Sequence, residues 1–395
     1  MTMEMSPEPP LLFTPIALRG ITARNRVMVS PMCQYVSEDG GPTDFHLVHL
    51  GQYAIGGAGI VFCEETSVHE DGRKTYHCAG IYKDEHIAAY RRINDFLRNQ
   101  GAVPAIQLGH AGRKGSGCAP WDGYRSLGAE DAKAGYTPWP TVSASAVRSS
   151  PSNATPHALD RTEIAQHIAQ WREAALRSMD AGYDIVEVHA AHGYLLHQFL
   201  SPMANCRTDG YGGSLEGRMR LCLEVVEAVR KAWPSDRPVF MRVSASDGPD
   251  SGWDMEDTIA LVKAVKERGV DVVTPSSGGI KGPTAASVVP RVPGYHVPYA
   301  QRIRQETSLP TIAVGLITQA QQAEQILQSG QADIIALGRE LLWNPYWPAH
   351  AARELGWSNY MNLLPGKYAW WLDRREAIRE ITRKDLEGEG VAAST

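Results

Sequence analysis

No stretch of this 395-residue chain holds the roughly 20 consecutive apolar residues that a membrane helix needs. The opening segment, Met1 to Pro10, carries acids and prolines around no apolar core. No secretory leader is therefore expected, and the expected location is cytoplasmic. Basic excess is missing too. The net charge of -5 offers no positive field to nucleic acid or to an anionic membrane. Cysteine is sparse and scattered. Cys33, Cys63, Cys78, Cys118, Cys206 and Cys222 include no CxxC pair, which argues against a disulfide framework, a zinc site or an iron–sulfur cluster. No GxGxxG follows the first apolar run, so the phosphate fingerprint of a dinucleotide-binding sheet is absent.

What is present is globular: 43% of residues are hydrophobic and 21% charged, enough for a large core. Eight short apolar runs recur along it: 27–30, 59–63, 103–108, 184–188, 239–243, 271–274, 311–314 and 333–337. Each is near-continuously apolar, as a strand buried on both faces should be. Helices with readable ends lie between most of them. Asp160 and Glu163 suit a capping box for a helix facing inward through Ile164, Ile168, Trp171 and Ala175 and stopped by Gly182. Thr318 and Gln321 suit another, stopped by Gly330. Ser214 suits an N-cap for a helix ended by Pro234, and Asp254 opens one ended by Gly269. Eight βα units in series predict an α/β fold, a single-domain (β/α)8 TIM barrel over residues 11–356. An open doubly wound sheet is the competing arrangement. An excursion at 111–160, too long for a simple loop, follows strand three and suits a lid or substrate loop. A C-terminal arm and charged tail occupy 357–395. Its aromatic Tyr368-Ala-Trp-Trp371 requires a partner surface.

The chemistry belongs at the carboxyl ends of the strands. Strand four runs into His189-Ala-Ala-His192-Gly-Tyr194. Two imidazoles three apart could donate to one oxygen, forming a small oxyanion hole. A phenol, protonated at neutral pH with a pKa of about 10, could then act as an acid. Glu187 is expected on the other face of that strand. Gln107 and Arg242, ending strands three and five, suit a flat polar-edged cofactor. Ser277 and Gly278 after strand six, Gly315 after strand seven, and Gly338 with Arg339 after strand eight form a candidate phosphate site. Strand one ends in Ser30-Pro31-Met32-Cys33-Gln34-Tyr35, where Cys33 and Tyr35 would face one side.

In combination these motifs resemble the Old Yellow Enzyme family of FMN-dependent ene-reductases. They are Ser30–Tyr35, Gln107–Lys114, His189–Tyr194, Arg207–Ser214 and Gly338–Leu342. Cys33 and HxxH point to its thermophilic-like branch, with the xenobiotic reductases, and the likeness spans Leu11 to about Arg375. It implies non-covalent FMN, reduced by NADPH or NADH. Ser30, Pro31, Met32 and Cys33 would line the flavin, Gln107 and Arg242 its pyrimidine edge, and Gly315, Gly338 and Arg339 its phosphate. His189 and His192 would hold the carbonyl of an enone, enal or maleimide, Tyr194 would protonate Cα, and Tyr35 would lie over the substrate. Trp371 and Arg374 would reach a neighbouring subunit's site, implying a homodimer or dimer-based homo-oligomer.

The chain departs from the family pattern at three places. Glu65 replaces a small residue beside the flavin, and a buried carboxylate must be paired, protonated or turned away. Gly217 replaces Asn, which puts a helix-start hydrogen bond in question. The charged tail outlasts most relatives. Two other functions compete: a metal-dependent barrel hydrolase or aldolase using His189 and His192, and a non-catalytic flavin redox sensor signalling through Cys33.

Overall fold

The computed structural model of the chain describes residues 8–248, 252–281 and 289–392. Eight parallel strands succeed one another: β1 (Val27–Val29), β2 (Ile60–Ser67), β3 (Val103–Gly109), β4 (Ile185–Ala190), β5 (Val239–Ser244), β6 (Val272–Ser276), β7 (Ile312–Ala313) and β8 (Ile334–Leu337). Neighbours in sequence pair from β1 through β6, β7 pairs with β8, and β8 pairs with β1. A parallel bridge from Val273 to Thr311 joins β6 to the foot of β7 and closes the ring. The fold is a single-domain (β/α)8 barrel. The outer ring is α1 (Asp44–Ile55), α2 (His86–Asn99), α3 (Arg161–Asp180), α4 (Leu215–Ala232), α5 (Met255–Lys266), α6 (Val297–Thr307), α7 (Ala320–Gln328) and α8 (Trp347–Glu354). Beyond it, α9 (Gly366–Ala392) forms the arm, exposed along most of its first half. Among the described residues no helix is long and apolar enough to cross a membrane.

The helix ends follow local chemistry. Glu163 N–H donates to Asp160 Oδ1 at 2.8 Å and Asp160 N–H returns a bond to Glu163 Oε2 at 2.7 Å, a closed capping box. Gly182 takes the left-handed φ of +83° that ends α3. Asp254 Oδ1 accepts from Glu256 and Asp257 N–H. The Ser214 cap forms as well, accepting from Gly217 N–H at 3.2 Å, so glycine there keeps the helix-start bond. The expected box at Thr318 and Gln321 does not form. Gln319 is the N-cap of α7 and makes no side-chain cap bond, while the Thr318 carbonyl accepts from Trp347 Nε1 at 2.9 Å. Thr318 lies one residue before the cap, and its N–H bonds Gln322 Oε1 at 3.4 Å.

The barrel interior is layered. Met28, Ile60, Phe62, Ala105, Ile185, Phe240, Val272, Ile312 and Ile334 fill its lower part. A hairpin, Ile16–Leu18 with Ile21–Ala23, packs Ile16, Leu18 and Ala23 onto this cluster and plugs the bottom. The outward strand residues join a second, larger core beneath the helices. Burial on both faces is why the runs are continuously apolar. Higher up, the interior turns polar, and there the site begins.

Candidate active site

Register builds the polar layer. Glu65 on β2 pairs across to Gln107 on β3, and Gln107 to Glu187 on β4. One step higher, His189 on β4 opposes Arg242 on β5, which opposes Thr274 on β6. Glu187 therefore shares the interior with His189, correcting the expectation of opposite faces: residues two apart on a strand point the same way. It is fully buried, accepting from Gln107 Nε2 and Thr274 Oγ1, each at 2.7 Å. Burial raises its pKa, against the opposing pull of Arg242.

A bulge in β2 between Phe62 and Glu65 inserts one residue against β3. Two consecutive carboxylates are buried as a result. Glu64 accepts from Gln34 N–H at 3.1 Å and meets His46 Nε2 at 3.2 Å. Glu65 lies at the cavity and is paired. Lys74, in the loop after β2, donates to its Oε2 and, at 3.1 Å, to Cys33 Sγ. Lys74 is 7% exposed. Burial opposes its charge, but the Glu65 carboxylate beside it outweighs that and holds its pKa above the usual lysine value. Sequence reasoning asked for this partner without finding it. The available signal was the pair Arg73-Lys74, the first cations after the strand.

The imidazoles sit where β4 breaks. His192 takes φ +60° and Gly193 φ +72°, turning the chain so that Tyr194 precedes a short helix, Leu195–Leu200. His197 Nδ1 accepts from Gly193 N–H at 2.8 Å and locks the turn. Ala191 N–H donates to His189 Nδ1 at 3.1 Å, leaving the ring proton on Nε2. That nitrogen faces His192 Nδ1 at 3.2 Å, and His192 Nε2 reaches Ser276 Oγ at 2.8 Å. Each neutral ring thus presents one N–H along a chain ending at Ser276. Burial lowers the pKa of both well below the usual histidine value, and Arg242 adds to it. The Tyr194 ring packs edge-on to His189 at 5.0 Å.

One cavity of about 320 Å³ opens over this rim, lined by Pro31, Cys33, Tyr35, Glu65, Gln107, His189, His192, Tyr194 and Arg242. Arg242 bonds Ser30 Oγ at 3.3 Å, and its buried Nε has no partner among the described residues. Tyr35 meets Trp121 of the excursion edge-on at 5.5 Å. Burial raises the pKa of Tyr35 and of Cys33. Met32 packs partly buried near Gly338. Around the next strand ends, Ser277 Oγ meets His296 Nε2 at 2.9 Å, and Gly278 N–H bonds the Ser246 carbonyl. Gly315 holds φ +113°, and a side chain there would strike the Tyr295 ring. Arg339 is exposed beside Gly338. Trp371 and Arg374 lie on α9 and line no part of the rim cavity; Arg374 stacks on Trp370 at 3.3 Å. Among the described residues no cluster of three His, Cys, Asp or Glu could hold a metal ion.

The NADH:flavin oxidoreductase / NADH oxidase family model matches residues 11–356. This chain belongs to that family. It is similar to the NADPH dehydrogenase of Geobacillus thermodenitrificans, 41% identical over 348 residues, covering 88% of this chain and 95% of that protein. The Bacillus subtilis NADPH dehydrogenase is 40% identical over 346 residues, 87% and 95% of the two chains. In structure the chain resembles morphinone reductase (TM-score 0.72, 27% identity, 89% and 91% covered). It also resembles the old yellow enzyme homologue of Zymomonas mobilis (TM-score 0.71, 25% identity, 87% and 93%). As a member of the flavin oxidoreductase family the chain is an enzyme that uses FMN, with NADPH or NADH as reductant. Its own residues fit that group. The orphaned Arg242 Nε is a cationic donor on the cavity wall, and Gln107 stands beside it. Pro31 and Cys33 line one side with Ser30 bonded to Arg242, while Gly315, Gly338 and the exposed guanidinium of Arg339 suit the phosphate.

Proposed function

We propose that this enzyme is an ene-reductase acting on the double bond of an enone, enal or maleimide. The net reaction consumes NADPH, a proton and the alkene, and yields NADP⁺ and the saturated carbonyl compound. Bound FMN supplies the hydride that reaches Cβ. The observation that carries this reading is the grouping of two neutral imidazoles and a phenol on one cavity beside Arg242 and Gln107. A carbonyl oxygen entering the cavity competes with His192 Nδ1 for the His189 Nε2 proton, and with Ser276 for that on His192 Nε2. Two aligned donors on one wall polarise the carbonyl. Tyr194, next to both rings, is the group placed to protonate Cα. Gln107 and Glu187 keep the floor polar, with both Glu187 oxygens bonded.

The flavin-sensor alternative asks for a reactive thiolate at Cys33, whereas burial favours its thiol form. The deciding experiment is an anaerobic titration followed by visible absorbance. Yellow enzyme should bleach with NADPH and recover its colour with 2-cyclohexenone. Bleaching without recovery would leave a flavin reductase and remove the alkene chemistry.

We also propose that the working form is a homodimer or a dimer-based assembly of cytoplasmic enzyme. Trp370 and Trp371 on α9 are 48% and 68% exposed, a large apolar face for a monomer to leave in water. Deleting residues 366–395 should reduce the mass seen by light scattering to one chain and weaken enone turnover. An unchanged oligomer would refute the arm's role.

A further inference from the structure

A second chamber of about 290 Å³ adjoins the rim cavity and shares Tyr35, Tyr124 and Tyr194 with it. Most of its wall comes from the 111–160 excursion, with Ser149, Ser150, Ser152 and Asn153 adding hydroxyl and amide groups. Two ammonium groups, Lys74 and Lys114, line it, and no carboxylate does. They flank the phenol of Tyr194, with Nζ atoms 5.3 and 5.9 Å from its ring centre. The two are unequal. Lys74 is balanced by Glu65, which opens onto the rim cavity instead. Lys114 donates only to the carbonyls of His192 and Gly279 and makes no ion pair among the described residues. The chamber therefore holds one lysine without a carboxylate partner among the described residues, in a partly buried wall. Desolvation, helped by Arg113, pulls the Lys114 pKa down to about 7, and an arriving anion would supply the missing counter-charge.

We infer that this chamber is an anion subsite, formed by Lys74 and Lys114, and that the preferred alkene carries a carboxylate. The inference rests on the ene-reductase reading and adds a substrate class to it. A carboxylate in the chamber would be fixed beside Tyr194, so binding energy remote from the double bond would orient Cα toward the phenol. The Ser149 hydroxyl can donate to the second oxygen, while that of Ser150 already donates to Asn153 Oδ1.

The test compares (E)-4-oxopent-2-enoate with its methyl ester, both reduced across the double bond at the expense of NADPH. The ester is the more electrophilic alkene, so intrinsic reactivity favours it. Wild-type enzyme should nevertheless prefer the acid in kcat/KM by about tenfold or more, the scale of one charge-assisted contact in a partly buried site. That ratio should fall about tenfold in Lys114→Met and in Glu65→Ala/Lys74→Met. The double variant removes the ion pair whole, so no charge is stranded to unfold the protein. Calorimetry should show the same loss in the affinity of oxidised enzyme for 4-oxopentanoate relative to its methyl ester. A wild-type ratio near one, with cyclohexenone still reduced, would overturn the subsite and spare the ene-reductase reading. Failure of all three alkenes to reoxidise the enzyme would remove both. If the variants weaken NADPH relative to NADH yet keep the acid preference, the anion served is the reductant's phosphate and the substrate assignment falls.

Discussion

At the scale of single residues, the polar layer sets what a substitution costs. His189 touches the site directly, and its Nε2 proton is the inner donor of the pair. His189→Ala should slow reoxidation of prereduced enzyme by an enone about a hundredfold, the value of roughly 3 kcal/mol for one oxyanion donor. Reduction by NADPH needs no carbonyl contact and should survive. Stopped-flow measurement of the two half-reactions separates them, and equal enone rates in variant and wild type would end the assignment. Glu65 presents a different balance. Glu65→Ala strands the Lys74 ammonium in the wall, which should cost about 3–5 kcal/mol in urea unfolding. Removing both partners in Glu65→Ala/Lys74→Met should recover most of it. A single variant as stable as wild type would mean that the pair is not formed in solution. Glu65 was legible as a problem, since a buried carboxylate demands a partner. Its solution was not, because Lys74 lies in a loop whose path no periodicity reports.

At the scale of elements, runs buried on both faces announce strands at nearly their true positions. β2 is the exception. Its apolar run ends at Cys63, yet the strand continues through Glu64 and Glu65 to Ser67, with Glu64 bonded by Gln34 N–H and His46 and Glu65 by Lys74. Capping was legible where it is local, as at Asp160 with Glu163, and misleading at Thr318, because Gln319 is the N-cap and the helix begins at Ala320. Gly217 tests packing against propensity. Within a helix, Gly→Ala ordinarily gains about 0.5–1 kcal/mol. Here a Cβ would lie 2.2 Å from the Gly212 carbonyl oxygen, a backbone atom that cannot swing away. Gly217→Ala should therefore destabilise by about 1–3 kcal/mol, the usual cost of overpacking. Calorimetry reads the sign directly: a raised Tm would show that the Gly210–Gly213 turn yields.

At the scale of the whole molecule, burying imidazoles makes the fold sensitive to acid. His49, His86, His110, His167, His189, His192 and His296 all have lowered pKa values, and desolvation is the largest cause in each. His49 and His167 fall to about 4, and His296 to about 3. In the unfolded chain each would titrate near 6.5. Below that pH the unfolded state takes up protons that the folded state refuses. Stability is complete above about pH 6.5 and is lost as pH falls from there toward the folded values. Each group costs up to about 1.4 kcal/mol per pH unit in that window. Glu187 and Asp257 work the other way, since their raised pKa values let the folded state bind a proton first, but they are two groups against seven. Most other carboxylates titrate in the unfolded chain near pH 4, below the window. At pH 5.0 even half of the combined histidine term rivals the roughly 5–15 kcal/mol that holds a domain together. The urea midpoint should therefore drop steeply between pH 7.5 and pH 5.0. His167→Leu should flatten that slope by about one proton, because its ring lies on α3 packed against His110, away from the rim cavity. Identical midpoints at the two pH values would mean that the imidazoles are hydrated or charged in the native protein, and that the two donors on the substrate carbonyl are not the neutral pair described here.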